Sequence, residues 1–230
     1  LAQMSSGTRS VASSSLRVQA QDSSTIRSFA GSVSGGGTAA GGAAFAMNFL
    51  GRTATDQDSS KLVKAEVLNS TVLSAGTVQV RGLSTSVIES MAVAVGGSGS
   101  VAVTGSNTTN LLEDEVLANW TGGSFTGTAS ALTVQADDAA TVRTLAGNVS
   151  GSGAAAFGAA IAVNRIGSLA HATLSGVTLA VTGAAITVDG KLRGEIESLA
   201  ASGAAAAGAS VKGSFTTNEI TASVKAQALN

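Results

Sequence analysis

Two segments of the chain are copies of each other, and this internal repeat constrains the fold more than any other feature. Residues 16–51 (LRVQAQDSSTIRSFAGSVSGGGTAAGGAAFAMNFLG) align with residues 132–167 (LTVQADDAATVRTLAGNVSGSGAAAFGAAIAVNRIG) at an offset of 116, and 21 of the 36 positions are identical. Weaker copies lie between and after these segments. Repetition at a fixed period predicts a fold in which one supersecondary unit stacks on the next.

Four sets of equivalent residues define the repeat unit, because each set recurs at spacings of 62, 54 and 54 residues. The sets are Val18, Val80, Val134 and Val188; Ile26, Ile88, Val142 and Ile196; Phe29, Met91, Leu145 and Leu199; and Asn48, Asn110, Asn164 and Asn218. We therefore interpret the chain as a single continuous segment with units at about 18–79, 80–133, 134–187 and 188–230. The longer first interval indicates a polar surface loop at 52–59 (RTATDQDS).

The small side chains of the repeat occur in strands rather than helices. The segment GSGAAAFGAAIAVN (151–164) is rich in Ala, which favours helix. However, Gly interrupts every Ala run, and each Gly costs about 1 kcal/mol inside a helix. The neighbouring segments LTVQA (132–136) and AITV (185–188) alternate with period two and contain Val, Ile and Thr. The sequence therefore predicts an all-β chain.

Strands separated by Gly, Ser, Asn and Asp, without any Pro, predict a parallel β-helix. A unit of 54 residues divides into three coils of about 18 residues each, and at about 4.8 Å per coil the chain would be roughly 60 Å long. The four Asn would then lie at corners, once in every third coil, without forming a continuous amide ladder. Residues of alternating charge at one repeat position would lie about 14 Å apart, too far for direct ion pairs. These are Arg27, Glu89, Arg143 and Glu197.

Composition excludes several classes of function. The formal net charge of -1 gives no field that would attract nucleic acid. The absence of Cys excludes disulfides and thiolate metal sites. No uninterrupted apolar run is long enough for a transmembrane helix. Because the chain begins at Leu1 without a signal peptide, we interpret it as an excerpt from a longer protein.

The pattern VQADDAATVRTLAGNVSGSGAAAFGAAIAVNRIG (134–167) resembles the repeat region of large bacterial filamentous adhesins. These are the filamentous haemagglutinin-like and leukotoxin-type surface proteins and related autotransporter passengers. The resemblance implies a right-handed parallel β-helix, type V or two-partner secretion through an outer-membrane translocator, and an extracellular location on the bacterial cell surface. It also implies adhesion, aggregation or biofilm formation. The partners would be a host or neighbouring-cell receptor, the rest of the long chain, or a second copy.

No catalytic, cofactor-binding or metal-binding residue is predicted. His171 is the single histidine, and its repeat position is shared with Lys64 and Lys225, which indicates a solvent-facing residue. One histidine without a partner nucleophile makes no catalytic triad. Trp120, in LANWTGG, is the best candidate for a contact with a ligand or glycan, although an ordinary packed tryptophan is the simpler interpretation.

Three acidic clusters raise the question of calcium binding. They are Asp56 and Asp58, residues 113–115 (EDE), and Asp137 with Asp138. Calcium needs six or more oxygen ligands in a defined loop. We therefore interpret these residues as solvated loop charges.

Two functions of different classes follow from the sequence. The main hypothesis is a non-enzymatic shaft of a secreted surface adhesin that mediates attachment or biofilm formation. The alternative is a self-assembling extracellular matrix or sheath filament, in which β-solenoids pack laterally through flat apolar faces or end to end.

Overall fold

A computed structural model describes residues 1–11, 15–51, 60–74, 76–127 and 131–230. The predicted loop at 52–59 lies outside these residues. Eleven strands account for nearly all of the described chain. The described residues contain no helix that could span a membrane. The strands are β1 Ala2–Val11, β2 Leu16–Gly36, β3 Ala39–Leu50, β4 Lys61–Ser74, β5 Thr77–Ser98, β6 Val101–Gly127, β7 Ala131–Ser152, β8 Ala155–Ser175, β9 Thr178–Val181, β10 Ala185–Ala206 and β11 Ala209–Leu229. The prediction of an all-β chain is confirmed.

The strands form two sheets, and the chain crosses from one to the other as it advances. Sheet A contains β1, β3, β4, β6, β8, β9 and β11, whereas sheet B contains β2, β5, β7 and β10 in that spatial order. Every strand pairing is parallel. Long parallel strands in two facing sheets are compatible with the predicted solenoid.

Each repeat unit contributes one level to each sheet, so the prediction of three coils per unit is wrong. Val18 pairs with Val80, Val80 with Val134, and Val134 with Val188. Residues at spacings of 62, 54 and 54 are therefore direct neighbours across parallel strands. One unit makes one turn, and all four valines lie on the inner side of sheet B.

The proportions of the molecule differ accordingly from the predicted slender rod. Strand β5 has 22 residues, which corresponds to a width of about 70 Å at roughly 3.3 Å per residue. Sheet B has four strands, which extend only about 20 Å along the stacking axis at about 4.8 Å per strand. The chain forms a broad ribbon because each long repeat unit extends along the direction of the strands and adds only one strand spacing along the stacking axis.

The core tapers across this width. At the broad end, the fully buried side chains of Trp120 and Phe125 pack among valines and leucines, with their ring centroids 5.9 Å apart. The middle contains Ile88, Leu112 and Ile166. Towards the tight connection between the sheets, the buried apolar residues of the core clusters are all alanines, and small polar residues such as Thr104 and Ser106 lie beside them. The volume of the buried apolar side chains therefore decreases from the broad end to the tight connection.

The tight connection from sheet B to sheet A, which we call the arc, depends on glycine. In successive turns it includes Gly37, Gly99 and Gly153. A Cβ atom at Gly99 would collide with the carbonyl oxygen of Gly37, and one at Gly153 with that of Gly99. Glycine permits this approach of successive backbones in the first three turns, whereas the fourth turn has Ala207 at the same position.

Sheet A bends near the broad end through residues with positive φ. These residues are Ser6, Asn69, Gly122 and Gly176, with φ values of 41°, 44°, 67° and 60°. Glycine and asparagine tolerate this left-handed conformation better than most residues do. The four Asn of the repeat were predicted at such corners, and that prediction is wrong, because none of them has positive φ.

Deletion of a complete unit tests the number of turns per unit. Removal of residues 80–133 joins Gln79 to Val134 and restores every register, because Val18 then pairs with Val134. We expect the shortened chain to keep its β-sheet circular dichroism and cooperative urea unfolding. Removal of only residues 80–97, the length of one originally predicted coil, would place core positions out of register and abolish cooperative unfolding. Tolerance of the shorter deletion would contradict the one-turn unit.

Candidate functional site

A ladder of buried asparagine side chains crosses the middle of the ribbon. Asn48 Nδ2 donates to Asn110 Oδ1 at 2.7 Å, and Asn110 Nδ2 donates to Asn164 Oδ1 at 2.8 Å. Asn164 Nδ2 continues the series to Asn218 Oδ1 at 2.9 Å. The prediction that these residues form no continuous amide ladder is therefore wrong, because equivalent residues are one strand apart and not three.

Hydroxyl groups of sheet B complete the ladder from across the core. Ser28 and Ser90 accept hydrogen bonds from Asn48 and Asn110 at 2.8 Å. Thr144 Oγ1 donates to Asn164 Oδ1 at 2.7 Å. The ladder thus joins neighbouring turns and also joins the two sheets. Buried amides that are fully bonded fix register, since a slip by one residue would leave them unpaired.

Substitution of the central ladder residue tests its structural role. Asn110→Ala removes one of the two acceptors of Asn48 Nδ2, one of the two donors to Asn164 Oδ1 and the donor to Ser90 Oγ. An unsatisfied buried group costs about 1–3 kcal/mol, so we expect a loss of about 2 kcal/mol or more in the free energy of unfolding by urea. Asn107→Ala, on the outer side of the same strand, is the control and should cost below about 1 kcal/mol. Equal effects of both substitutions would refute the role of the ladder.

A ladder of exposed charges runs along the outer side of sheet B, at the residues that directly precede Ser28, Ser90 and Thr144 in the sequence. Arg27 Nε lies 2.6 Å from Glu89 Oε2, and Arg143 Nε lies 2.8 Å from Glu197 Oε2. Glu89 Oε1 also lies 3.6 Å from Arg143 Nη1, which makes the series continuous. The prediction that these residues are too far apart for ion pairs is wrong. Exposed pairs add little stability, but alternating signs disfavour any stacking that brings like charges together.

A second polar cluster lies inside the core, between the ladder and the broad end. Asp114 Oδ2 accepts hydrogen bonds from Ser86 Oγ at 2.5 Å and Ser84 Oγ at 3.0 Å. Lys61 Nζ lies 3.4 Å from the same oxygen and donates to Asp22 Oδ2 at 2.7 Å. The hydrogen bond from Lys61 lowers the pKa of Asp22.

Asp138 is the carboxyl group of this cluster with the weakest support from neighbouring donors. Its side chain is fully buried, and neither carboxyl oxygen has a hydrogen-bond partner. Burial, together with the charge of Asp114, raises the pKa of Asp138 to about 6. Asp114 Oδ1 also lacks a partner, so a protonated Asp138 can donate to it. Because the core encloses Asp114 and Asp138, the pair can hold a proton but is closed to a substrate.

The pH dependence of stability tests this pair. Asp138 has a pKa of about 6 in the folded chain against an ordinary 3.8, so folding favours its protonated form. Its contribution is complete below about pH 4 and is lost as the pH rises through 6, a change of roughly 3 kcal/mol. The hydroxyl of Ser168 and, more weakly, the charge of Lys61 oppose the shift, and Leu192 on the neighbouring strand carries no charge.

We expect Asp138→Ser to remove this loss and to raise stability at pH 7, because Ser84 occupies the same position one turn earlier. Urea unfolding across pH 4 to 7 measures both effects. Asp137→Ser is the control, since Asp137 points outward and pairs with Arg193 at 2.8 Å. An unchanged pH dependence in Asp138→Ser would contradict the assignment.

The structure corrects two interpretations of individual residues. Trp120 is fully buried, and its Nε1 donates to the carbonyl oxygen of Gly122 at 3.1 Å. A buried indole cannot contact an external ligand, so the prediction of a ligand or glycan contact is wrong. Asp114 and Asp138 were interpreted as solvated loop charges, and this too is wrong, because both lie in strands and face the core. Asp56 and Asp58 lie outside the described residues.

His171 lies on the outer side of sheet A, at the repeat position of Lys64 and Lys225, as the sequence predicted. Its Nε2 is 3.2 Å from Ser223 Oγ, and partial burial lowers its pKa. Among the residues that the structure describes, no three His, Cys, Asp or Glu side chains are placed to hold a metal ion.

The buried carboxylates could have been found from the alternation of residues. Asp114 has the same parity as Leu112 and Val116, and Asp138 has that of Ala136 and Ala140. All four of these neighbours are buried. In a strand, residues of one parity share one side.

Comparisons of this chain with protein-family models, with curated proteins and with solved structures found no match.

Proposed function

We propose that this chain is a structural segment of a secreted bacterial surface adhesin, a non-enzymatic shaft that serves attachment between cells or biofilm formation. The observation that supports this most is the register of the turns, in which equivalent residues of successive units pair directly. Such a fold grows by addition of identical levels, and each level needs contacts only with its neighbours. The resemblance of the repeat to filamentous adhesins supplies the functional class.

The chemistry of the described interior agrees with a structural role. Its polar groups include an amide ladder that joins turns and a carboxylate pair that is closed to solvent. Receptor binding, export through an outer-membrane translocator and the surface location belong to the same proposal. So does right-handed winding, because crossovers between parallel strands of one sheet are nearly always right-handed.

A specific observation favours the second candidate, a self-assembling extracellular filament. Val95 and Val149 are 40% and 56% exposed on the outer side of sheet B, although their strands are paired on both sides. A flat apolar surface of this kind marks an interaction site.

Display on a bacterial surface tests the proposed attachment function. The chain would be fused between a secretion signal and an outer-membrane anchor in a non-adherent host strain. We expect the displayed chain to resist trypsin and to increase cell–cell sedimentation and retention on glass.

The control is the same fusion without residues 80–97, which keeps most of the sequence but loses the register of the turns. Equal sedimentation and retention with both fusions, at equal display, would refute attachment by the folded chain.

A further inference from the structure

The ribbon is divided into a charged half and an almost uncharged half. The uncharged half, which we call the arc half, comprises residues 28–49, 90–112, 144–164 and 198–217. It contains one charged residue, Lys212, whose repeat position is on the inner side, next to Gly158. The ion-pair ladder of Arg27, Glu89, Arg143 and Glu197 marks the border on sheet B.

The arc half has the reverse of the usual distribution of polarity. Its interior consists of alanines and small polar residues, and the buried hydroxyls of Thr104 and Ser106 have no hydrogen-bond partner. Its exterior carries Val95, Val149 and Phe157, which are 40%, 56% and 40% exposed. A folded chain that turns its larger apolar side chains outward leaves apolar area to be covered by something else.

We propose that the outer side of sheet B in the arc half docks on the same surface of a second copy of this chain. We call this surface the apolar panel: the outward residues of 29–35, 91–97, 145–151 and 199–205. The proposal deepens the second candidate function and rests on it, since the panel would be the lateral contact of the filament. The outer side of sheet A also exposes Phe45 and Met47, but Asn107 and Thr109 interrupt its apolar side.

The panel is complementary to itself. From the charge ladder outward, its first column holds the large side chains of Phe29, Met91, Leu145 and Leu199, and its third column is mostly valine. The second column is mostly small, and the fourth is glycine in the first three turns. Two copies can be related by a two-fold axis that is parallel to the stacking axis and lies between the second and third columns. The large first column of one copy then faces the glycine column of the other. Valines then meet small residues, as in a dry interface between sheets.

On the side of the charge ladder, the first column is bordered by a groove. The groove has a volume of about 670 Å³ and runs along the stacking axis between the charge ladder and the large column. Its walls include Arg143, Leu145 and Glu197. Since the charges of the ladder alternate, the border itself presents no net charge to a second copy.

The panel has the area of a weak, reversible pair. Seven residues along each strand, at about 3.3 Å, and four strands, at about 4.8 Å, give roughly 440 Å² per copy in projection. Two copies together bury about 890 Å², which lies just above the size of most contacts between unrelated copies.

A second copy suits the panel better than a lipid bilayer does, because the large and glycine columns of one copy fit those of another.

Lysine substitutions distinguish the panel from the rest of the same surface. Val95 and Val149 are paired neighbours in the panel, and Val87 and Thr141 are paired neighbours on the same strands beyond the charge ladder. In sedimentation velocity across a concentration series, we expect the 230-residue chain to self-associate. Val95→Lys with Val149→Lys should raise the dissociation constant by about 100-fold or more, because the interface would bury unpaired charges. Val87→Lys with Thr141→Lys should leave association unchanged.

Circular dichroism and urea unfolding of each variant establish that the fold is kept. A monomeric wild-type chain, or equal loss of association in both double variants, would overturn the proposal. Flotation with phosphatidylcholine vesicles that only the panel substitutions abolish, without self-association in solution, would assign the panel to a membrane and overturn it too. Association without cell attachment would refute the adhesin and leave the interface standing.

A cross-linking measurement checks the interface without adding charge. The chain contains no Cys, so Val149→Cys places one thiol in the panel and Thr141→Cys places one beyond the ladder. We expect disulfide-linked dimers to form much faster with Val149→Cys under mild oxidation. Equal rates would count against a contact through the panel.

Discussion

The direct pairing of equivalent residues in successive turns is the constraint on which the whole structure depends. Parallel strands in register place each residue beside its copy, so one amide becomes a ladder and one charged position becomes a row of ion pairs. The same constraint favours glycine at the arc, where the backbones of the first three turns come close together. A contact at one repeat position therefore recurs in every turn that keeps the residue, whether it stabilises or destabilises the fold.

The carboxylate pair of Asp114 and Asp138 lies where the residue at one repeat position differs between turns. The inner position of Asp138 holds Asp22, Ser84 and Leu192 in the other turns. Asp22 is compensated by Lys61, whereas Asp138 has no cation of its own and holds a proton more tightly instead. The cluster lies between the apolar broad end and the asparagine ladder. Polarity inside the ribbon therefore changes step by step from the broad end to the arc.

The sequence predicts the strands, their parallel stacking and the inward direction of the valine column, because periodicity and repeat spacing depend on the backbone alone. It does not decide how many turns a unit makes, since 54 residues fit one long turn as well as three short ones. In the structure, residues 131–150 alternate between the inner and outer sides without a break, but polar residues on the inner side and Leu145 and Val149 on the outer side hide this alternation in the sequence. The buried positions of Trp120 and Asp138 follow from the same parity. The polarity reversal of the arc half emerges only when both sides of each sheet are known.

The most direct test of the account measures whether residues one unit apart are neighbours. Thr85 and Ala139 are paired across β5 and β7 on the outer side of sheet B. With Cys at both positions of this Cys-free chain, adjacent strands bring the Cα atoms within the usual range for a disulfide, about 4.4–6.8 Å. We predict that the two thiols close an intramolecular disulfide in nearly every folded chain, as measured by mass spectrometry without reductant. Thiols that stay free in the folded chain, as a separation of about 14 Å would require, would contradict the one-turn unit.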